Sequence, residues 1–528
     1  MEKENHFDVL VIGAGISGIS AAYHIQKHCD WASYAILERR ENLGGTWDFF
    51  KYPGIRSDSD MYTFGFSWKI WKSPKPIAPA KDILDYLKEA AEEQGIVEKI
   101  QFNTDVESAD WKSTDNCWHI VTSKGVRYSC NMLFGCTGFY SYENPYQPYF
   151  PGQENFIGPI VHPQKWKEEH DQQILGKKVA IIGSGATAVT ILPSIADQVS
   201  HVTMVQRTPT YIASVPTEDP MSEFLRKYFS KNTAAKLNRW YSVLITTIAF
   251  YFCIWLPNIA KSFCKNLMYK ELKSVMSQKE FDQHFTPPYT PWQQRYCLAP
   301  GGDFFQSIRE GKASIVTGVI DHFHETGIQM KDGLHVEADF IIVATGLTYR
   351  APFSTIQVCI DGVDFKPGKN LLYNGVMLSD IPNFLFIVPS TNASLTLKAD
   401  ITSLYFTKLL NHMKKEKIVK VVPKENPMDN VQREVKIAGL DWTSGDLTRA
   451  GSTLPKLGNK YPWNRGLNHY IFDFVNLTIK GLCLDSLEIT KAKDSSNLHN
   501  LFSTQYSCSH ELVKKSNSHL EKLFSRQI

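Results

Sequence analysis

The chain has 528 residues, more than one core holds at roughly 150 residues per domain, so it can enclose a large cofactor. With Lys+Arg 57 against Asp+Glu 54, no global field recruits nucleic acid or an acidic partner. Ten scattered cysteines with no CxxC pair and no His cluster at metal spacing exclude a disulfide scaffold and read as reduced thiols; with no leader pattern in "MEKENHFDVL", a metal-free cytoplasmic protein is expected.

"FDVLVIGAGISGISAAYHI" predicts strand, tight turn and helix. Gly13 permits the turn, Gly15 lets the backbone approach a pyrophosphate, and Gly18 lets helix and strand pack closely, with the helix N-terminus facing the phosphates. The next strand, "SYAILE", ends in Glu38, where a carboxylate accepts hydrogen bonds from a ribose 2′-hydroxyl and repels a 2′-phosphate. That makes the first ligand FAD or NAD-like. An irregular loop follows, "GGTWDFFKYPGIRSDSD" from Gly44 to Asp60, too broken for a helix and too polar for a core strand.

A second unit, "GKKVAIIGSGATAVTILPSIA", repeats the pattern with Gly183, Gly185 and Ala188. Its partner strand, "HVTMVQRTPTY", carries Arg207 and Thr208 where the first unit has Glu38. A guanidinium can pair bidentately with a phosphate and a hydroxyl can join it, so this unit suits NADPH; a surface arginine at a strand end is the alternative reading.

From about Pro216 to Tyr289 the pattern is helical, and Trp240 to Ala260 carries no charged residue. Roughly 20 apolar residues can span a membrane, but Thr246, Thr247, Tyr251, Pro257 and Asn258 favour buried or substrate-facing helices, with peripheral membrane attachment left open. "DFIIVATGL" then echoes the earlier "MLFGCTGFY" as a strand ending in Thr-Gly, and "NFLFIVPSTNASLTLKAD" predicts strand, turn and helix. The stretch after Asp485 shows little periodicity and reads as a poorly ordered tail. The fold class expected is α/β, with two Rossmann-like dinucleotide-binding domains, for FAD and NADPH, and a helical insertion. The expected bounds are 1–165 and 381–485 for a split FAD domain, 166–215 and 291–380 for a split NADPH domain, 216–290 for the insertion and 486–528 for the tail.

The pattern Gly44-Gly45-x-Trp47, Tyr52-Pro53-Gly54, Asp58 resembles the first fingerprint of type I Baeyer–Villiger flavin monooxygenases. "FIGPIVHPQKW", with Phe156, Gly158, His162 and Trp166, resembles their second fingerprint, and Trp166 separates it from general flavin-containing monooxygenases. The resemblance covers nearly the whole chain and extends to the bacterial FAD-containing monooxygenases that activate thioamide prodrugs such as ethionamide. It implies NADPH- and dioxygen-dependent insertion of one oxygen atom into a ketone through a C4a-peroxyflavin, with oxidation of soft sulfur as a second activity. N- or S-oxygenation without ester formation is the close alternative, and a non-catalytic FAD-binding protein the distant one. The resemblance further implies that Arg295 is the catalytic cation and that Asp58 orients it. Gly45, Thr46, Trp47, Asp58 and Tyr62 are the flavin contacts it adds. Two departures stand out: Lys167 follows the second fingerprint in place of Pro or Asp, and Gln294 precedes Arg295 where the family often has Lys. Trp47, Tyr52 and Trp166 also read as packing anchors, and His162 as a hinge.

Overall fold

Two sheets grow from the two glycine-turn units, the first mixed with parallel strands around the turn and the second parallel throughout. The computed structural model describes residues 4–294, 296–350, 353–390, 392–426, 431–434, 449–451, 453–464 and 469–492. Within them the first sheet has nine strands. Its strand Asn5–Ile12 pairs in parallel with Tyr34–Leu37 on one side, Val9 opposite Tyr34, and with Arg127–Gly135 on the other, Val9 opposite Met132. Val9, Leu10 and Val11 are fully buried, as a continuous apolar run covered on both faces requires. Phe384–Phe386 joins the same sheet far along the chain, and helix Leu395–Glu416 then packs on the first helix, Ile16–His28. The second sheet is all parallel, in the order Ala313–Thr317, His201–Gln206, Lys178–Ile182, Phe340–Val343, Ile160–Val161. Strands Ile160–Val161 and Gln357–Ile360 thus lie on sheets other than those in which the expected bounds place them.

Both units use one device at the turn. The Gly13 and Gly183 N–H groups donate to carbonyls at the ends of the neighbouring strands, those of Leu37, the last strand residue, and Val205, the last but one, at 2.8 Å each. Their φ values are 103° and 125°, a region that favours glycine. A Cβ at Gly13 would stand 2.6 Å from the Cys136 carbonyl oxygen, and one at Gly183 would overlap that of Ala344. The echo between "CTG" and "ATG" therefore has a physical cause, since each segment presses its backbone on a glycine turn.

Between the paired strands Ile212–Val215 and Cys297–Pro300 run four helices: Pro220–Tyr228, Lys231–Trp255, Pro257–Leu272 and Gln278–Phe285. Side chains of Asp219, Ser230 and Ser277 cap three of them. Arg239, on the long helix, donates to the Tyr62 and Gly65 carbonyls at 3.1 and 2.7 Å and pairs with buried Asp400 at 3.0 Å, tying the insertion to the first unit. Leu256 leaves helical geometry just before Pro257, and the axis turns by 117°. The uncharged stretch is therefore broken, and among the described residues no single helix is long and apolar enough to cross a membrane.

One expectation fails. Leu487–Lys491, read as part of a poorly ordered tail, is a strand antiparallel to Ile418–Pro423, with Leu487 and Ile489 packed on the core. Five residues are too few to show a period, and the partner lies about seventy residues earlier. Residues 493–528 lie outside the described residues.

Candidate active site

Both glycine turns open into one cavity of about 1630 Å³, larger than the roughly 300–1,000 Å³ that single-ligand pockets occupy. Gly13, Gly15, Gly183 and Gly185 line it. Gly15 and Gly185 are the N-cap residues of helices Ile16–His28 and Ala186–Ile195. A Cβ at Gly15 would meet nothing nearer than the Gly45 Cα at 3.7 Å, and one at Gly185 nothing within 4 Å. Space beside bare backbone at two helix N-termini is what two pyrophosphates need. Gly18 and Ala188 sit behind the turns: a Cβ at Gly18 would overlap the Gly13 oxygen, and Ala188 is fully buried.

Glu38 is buried at the cavity edge, where its two oxygens accept from the Ala14 and Arg40 N–H groups at 2.7 and 2.9 Å. Burial pushes its carboxyl upward, against those two bonds and the nearby Arg39 and Arg40. Each oxygen keeps a second lone pair for a ribose hydroxyl. Arg207 is exposed at the end of strand His201–Gln206, beside Thr208, and both line the cavity. The Ser184 hydroxyl donates to the Thr208 carbonyl at 3.0 Å, holding that strand end against the second glycine turn.

The loop from Gly44 to Asp60 straps the two units together. Its Gly44 N–H donates to the Ala14 carbonyl at 3.0 Å. Gly45 (φ 54°), Thr46, Trp47, Asp58 and the nearby Tyr62 line the cavity, Thr46 lying 3.4 Å from the Tyr142 hydroxyl and Trp47 edge-on to Phe64. Gly54, at φ 69°, seats the Tyr-Pro-Gly turn on helix Ala186–Ile195 so closely that a Cβ would overlap Ser194 Oγ and stand 2.9 Å from the Thr190 carbonyl. Arg56, also on the cavity wall, forks onto both oxygens of Asp303 in the second unit. Asp60 caps Met61–Phe64 by accepting from the Thr63 N–H at 2.9 Å.

Arg295 lies outside the described residues; its neighbours Gln294 and Tyr296 both line the cavity. His162 is buried, donating from Nε2 to the Gly346 carbonyl at 3.1 Å and accepting at Nδ1 from the Gln164 N–H at 3.1 Å. Burial lowers its pKa. It thus joins the second fingerprint to the second Thr-Gly segment by hydrogen bonds. Trp166 is a packing anchor, buried against Phe340 with its Nε1–H on Asp171 at 2.9 Å. Lys167 is the N-cap residue of Glu168–Gln173.

Sequence reasoning missed Arg56, Gln164 and Asn392. The Gln164 amide nitrogen donates to the Ser141 and Tyr142 carbonyls at 2.9 and 2.8 Å, while Oε1 is buried without a partner. Asn392 Nδ2 is buried and partnerless as well, and both residues line the cavity. Buried orphan polar atoms mark where a ligand or water belongs, so these residues fit a polar cofactor.

Two helix N-termini on one cavity, one beside a buried carboxylate and one beside an arginine, define an oxidoreductase built around two dinucleotides. The chain belongs to the flavin-binding monooxygenase-like family, whose model matches residues 7–378. It is 43% identical over 490 residues to the FAD-containing monooxygenase EthA of Mycolicibacterium smegmatis, covering 92% of this chain and 97% of that relative. The probable FAD-binding monooxygenase AlmA of an Acinetobacter species is 43% identical over 478 residues, 90% of this chain and 94% of its own. Among solved structures, an oxidized steroid monooxygenase bound to NADP superposes with a TM-score of 0.72 at 20% identity, over 92% of this chain and all of its own. A closed cyclohexanone monooxygenase gives 0.69 at 19%, over 93% of this chain and all of its own.

Proposed function

We propose that the protein is an FAD-containing Baeyer–Villiger monooxygenase that consumes ketone, dioxygen, NADPH and a proton and releases ester or lactone, NADP⁺ and water, oxidising sulfides in the same cavity. The observation that carries this reading is that both glycine turns open into one cavity across which the Gly44–Asp60 loop is strapped. Bound at the first turn, FAD would supply a hydride acceptor for NADPH and a centre that activates dioxygen. The helix starting at Ile16 and the Glu38 carboxylate would hold the FAD pyrophosphate and ribose; Gly185, Arg207 and Thr208 would do the same for NADPH, with Arg207 taking its 2′-phosphate, since all of them line the cavity beside the two helix N-termini. Arg295, assigned by family resemblance, stabilises negative charge that develops on the substrate carbonyl oxygen, and Asp58 keeps its guanidinium oriented. The apolar walls exclude water that would divert the oxygen.

Arg295→Ala tests this. Flavin content and reduction by NADPH should persist, while ester formation fails and NADPH oxidation continues with release of hydrogen peroxide. Asp58→Ala should give a milder form, and the double variant should be little worse than Arg295→Ala. Ester formed by Arg295→Ala at wild-type coupling would remove both residues from the mechanism. A panel of ketones and sulfides that gave sulfoxides and no esters would move the protein to the N- and S-oxygenating branch.

A further inference from the structure

More than half of the exposed large hydrophobic side chains among the described residues fall between Met221 and Leu267, in the helical insertion. On helix Lys231–Trp255 they form one stripe at helical spacing, Leu237, Trp240, Leu244, Ile248 and Trp255, the last 70% exposed. Val243, Thr247 and Phe250 of the same helix are buried, so the helix already gives apolar side chains to the core and the exposed stripe is apolar surface beyond that. The stripe continues after the bend with Ile259, Phe263 and Leu267, and the Phe252 and Phe263 rings, 6.0 Å apart, join the two helices.

Charge is arranged around this face. Lys231 and Lys236 precede the uncharged stretch and Lys261 and Lys270 follow it. The single acid between Lys231 and Leu272, Glu271, is neutralised by Arg309 at 2.7 Å. Tryptophan and aliphatic side chains in the middle with lysines at both margins match the layering of an anionic lipid surface, where ammonium groups reach headgroups and rings lie beneath. The 117° bend suits a hairpin lying in one leaflet. The same helix also lines the cavity with Val243, Ile245, Thr246 and Thr247, so one helix carries both the outer apolar stripe and part of the cavity wall, and Ile245, 47% exposed, lies on that wall.

We propose that the outer face of Lys231–Trp255 and Pro257–Leu272 is a membrane-docking surface that seats the protein on anionic lipid with the cavity wall at Ile245 facing the acyl layer. A lipid-dissolved apolar substrate then enters without crossing water. That delivery step rests on the monooxygenase reading, whereas docking does not and is measured without turnover.

The test is cosedimentation of the full chain, with its flavin bound, on vesicles of phosphatidylcholine with phosphatidylglycerol. Ile248→Glu combined with Trp255→Glu alters the face, and neither residue lines the cavity. Vesicle affinity should fall about tenfold or more, while flavin content and turnover of a water-soluble substrate stay unchanged. Should the glutamates disturb folding, seen as lost flavin, Ile248→Ser with Trp255→Ser gives the same comparison. Wild-type protein that ignores vesicles, or a variant that binds as tightly as wild type, overturns the proposal. So does a wild-type dimer that the substitutions dissociate without any vesicle binding, which would assign the face to a second copy. Vesicle binding that appears only after removal of residues 493–528 would overturn it too, by assigning the face to that segment.

Discussion

Gly54→Ala tests the interdomain strap. Alanine at φ 69° costs roughly 1–2 kcal/mol in backbone strain. The new Cβ would overlap Ser194 Oγ and stand 2.7 Å from Ser194 Cβ, where carbon pairs are comfortable near 3.5–4.0 Å. Rotating the hydroxyl away would sacrifice its 2.8 Å bond to the Thr190 carbonyl, worth about 1 kcal/mol, and would leave the Cβ–Cβ overlap in place. The turn must therefore back away from the helix, for a total cost of about 3 kcal/mol. Because Arg56 and Asp58 sit two and four residues further on, uncoupled NADPH oxidation should rise with the loss of stability. Denaturant unfolding followed by tryptophan and flavin fluorescence measures the first, and peroxide release the second. In a Ser194→Gly background the two Ser194 overlaps vanish while the φ strain and the Thr190 oxygen remain, so the cost of Gly54→Ala should drop to about 1–2 kcal/mol. An equal cost in both backgrounds would refute the seating of this turn on the helix.

Arg207→Ala removes a charge-assisted contact worth roughly 1.5–3 kcal/mol; since Arg207 is exposed, the lower part of that range applies and NADPH affinity should fall about tenfold with NADH unaffected. Equal losses for both nucleotides, by titration, would make Arg207 structural. Gly15→Val has room for its Cβ but sends methyl groups into the space where pyrophosphate approaches, so the protein should purify folded and colourless; full FAD occupancy would show the first turn misassigned. His162 has a folded pKa below its ordinary 6.5, so the unfolded chain binds the extra proton first, and its contribution to stability, complete above pH 6.5, is lost as pH falls toward the folded value. Denaturation midpoints measured between pH 8 and 5 should show a steeper acid decline for wild type than for His162→Gln; parallel curves would contradict the buried neutral imidazole.

That both glycine turns, Glu38, Arg207 and the Gly44–Asp60 loop gather on one cavity was legible because strand, turn and helix follow one another within about thirty residues, and a positive φ at Gly13 and Gly183 is a local demand of each turn. Arg56 was not, since its meaning depends on Asp303, brought alongside only when the second unit docks. Gln164 and Asn392 were hidden for a related reason: an orphan amide atom exists only once tertiary packing has sealed its other bonds. The uncharged stretch 240–260 showed its composition but not its two faces, because Leu256 and Pro257 reset the helical phase in its middle. Leu487–Lys491 reads as strand only beside Ile418–Pro423.

A monooxygenase uses electrons from NADPH to place one atom of dioxygen in its substrate. Turnover of a ketone by the flavin-loaded protein under ¹⁸O₂, with the product weighed by mass spectrometry against NADPH consumed, tests it most directly. The expected product is an ester carrying one ¹⁸O atom, formed one-for-one with NADPH oxidised. NADPH consumed with all the label in hydrogen peroxide, and no oxygenated product across ketones and sulfides, would contradict it.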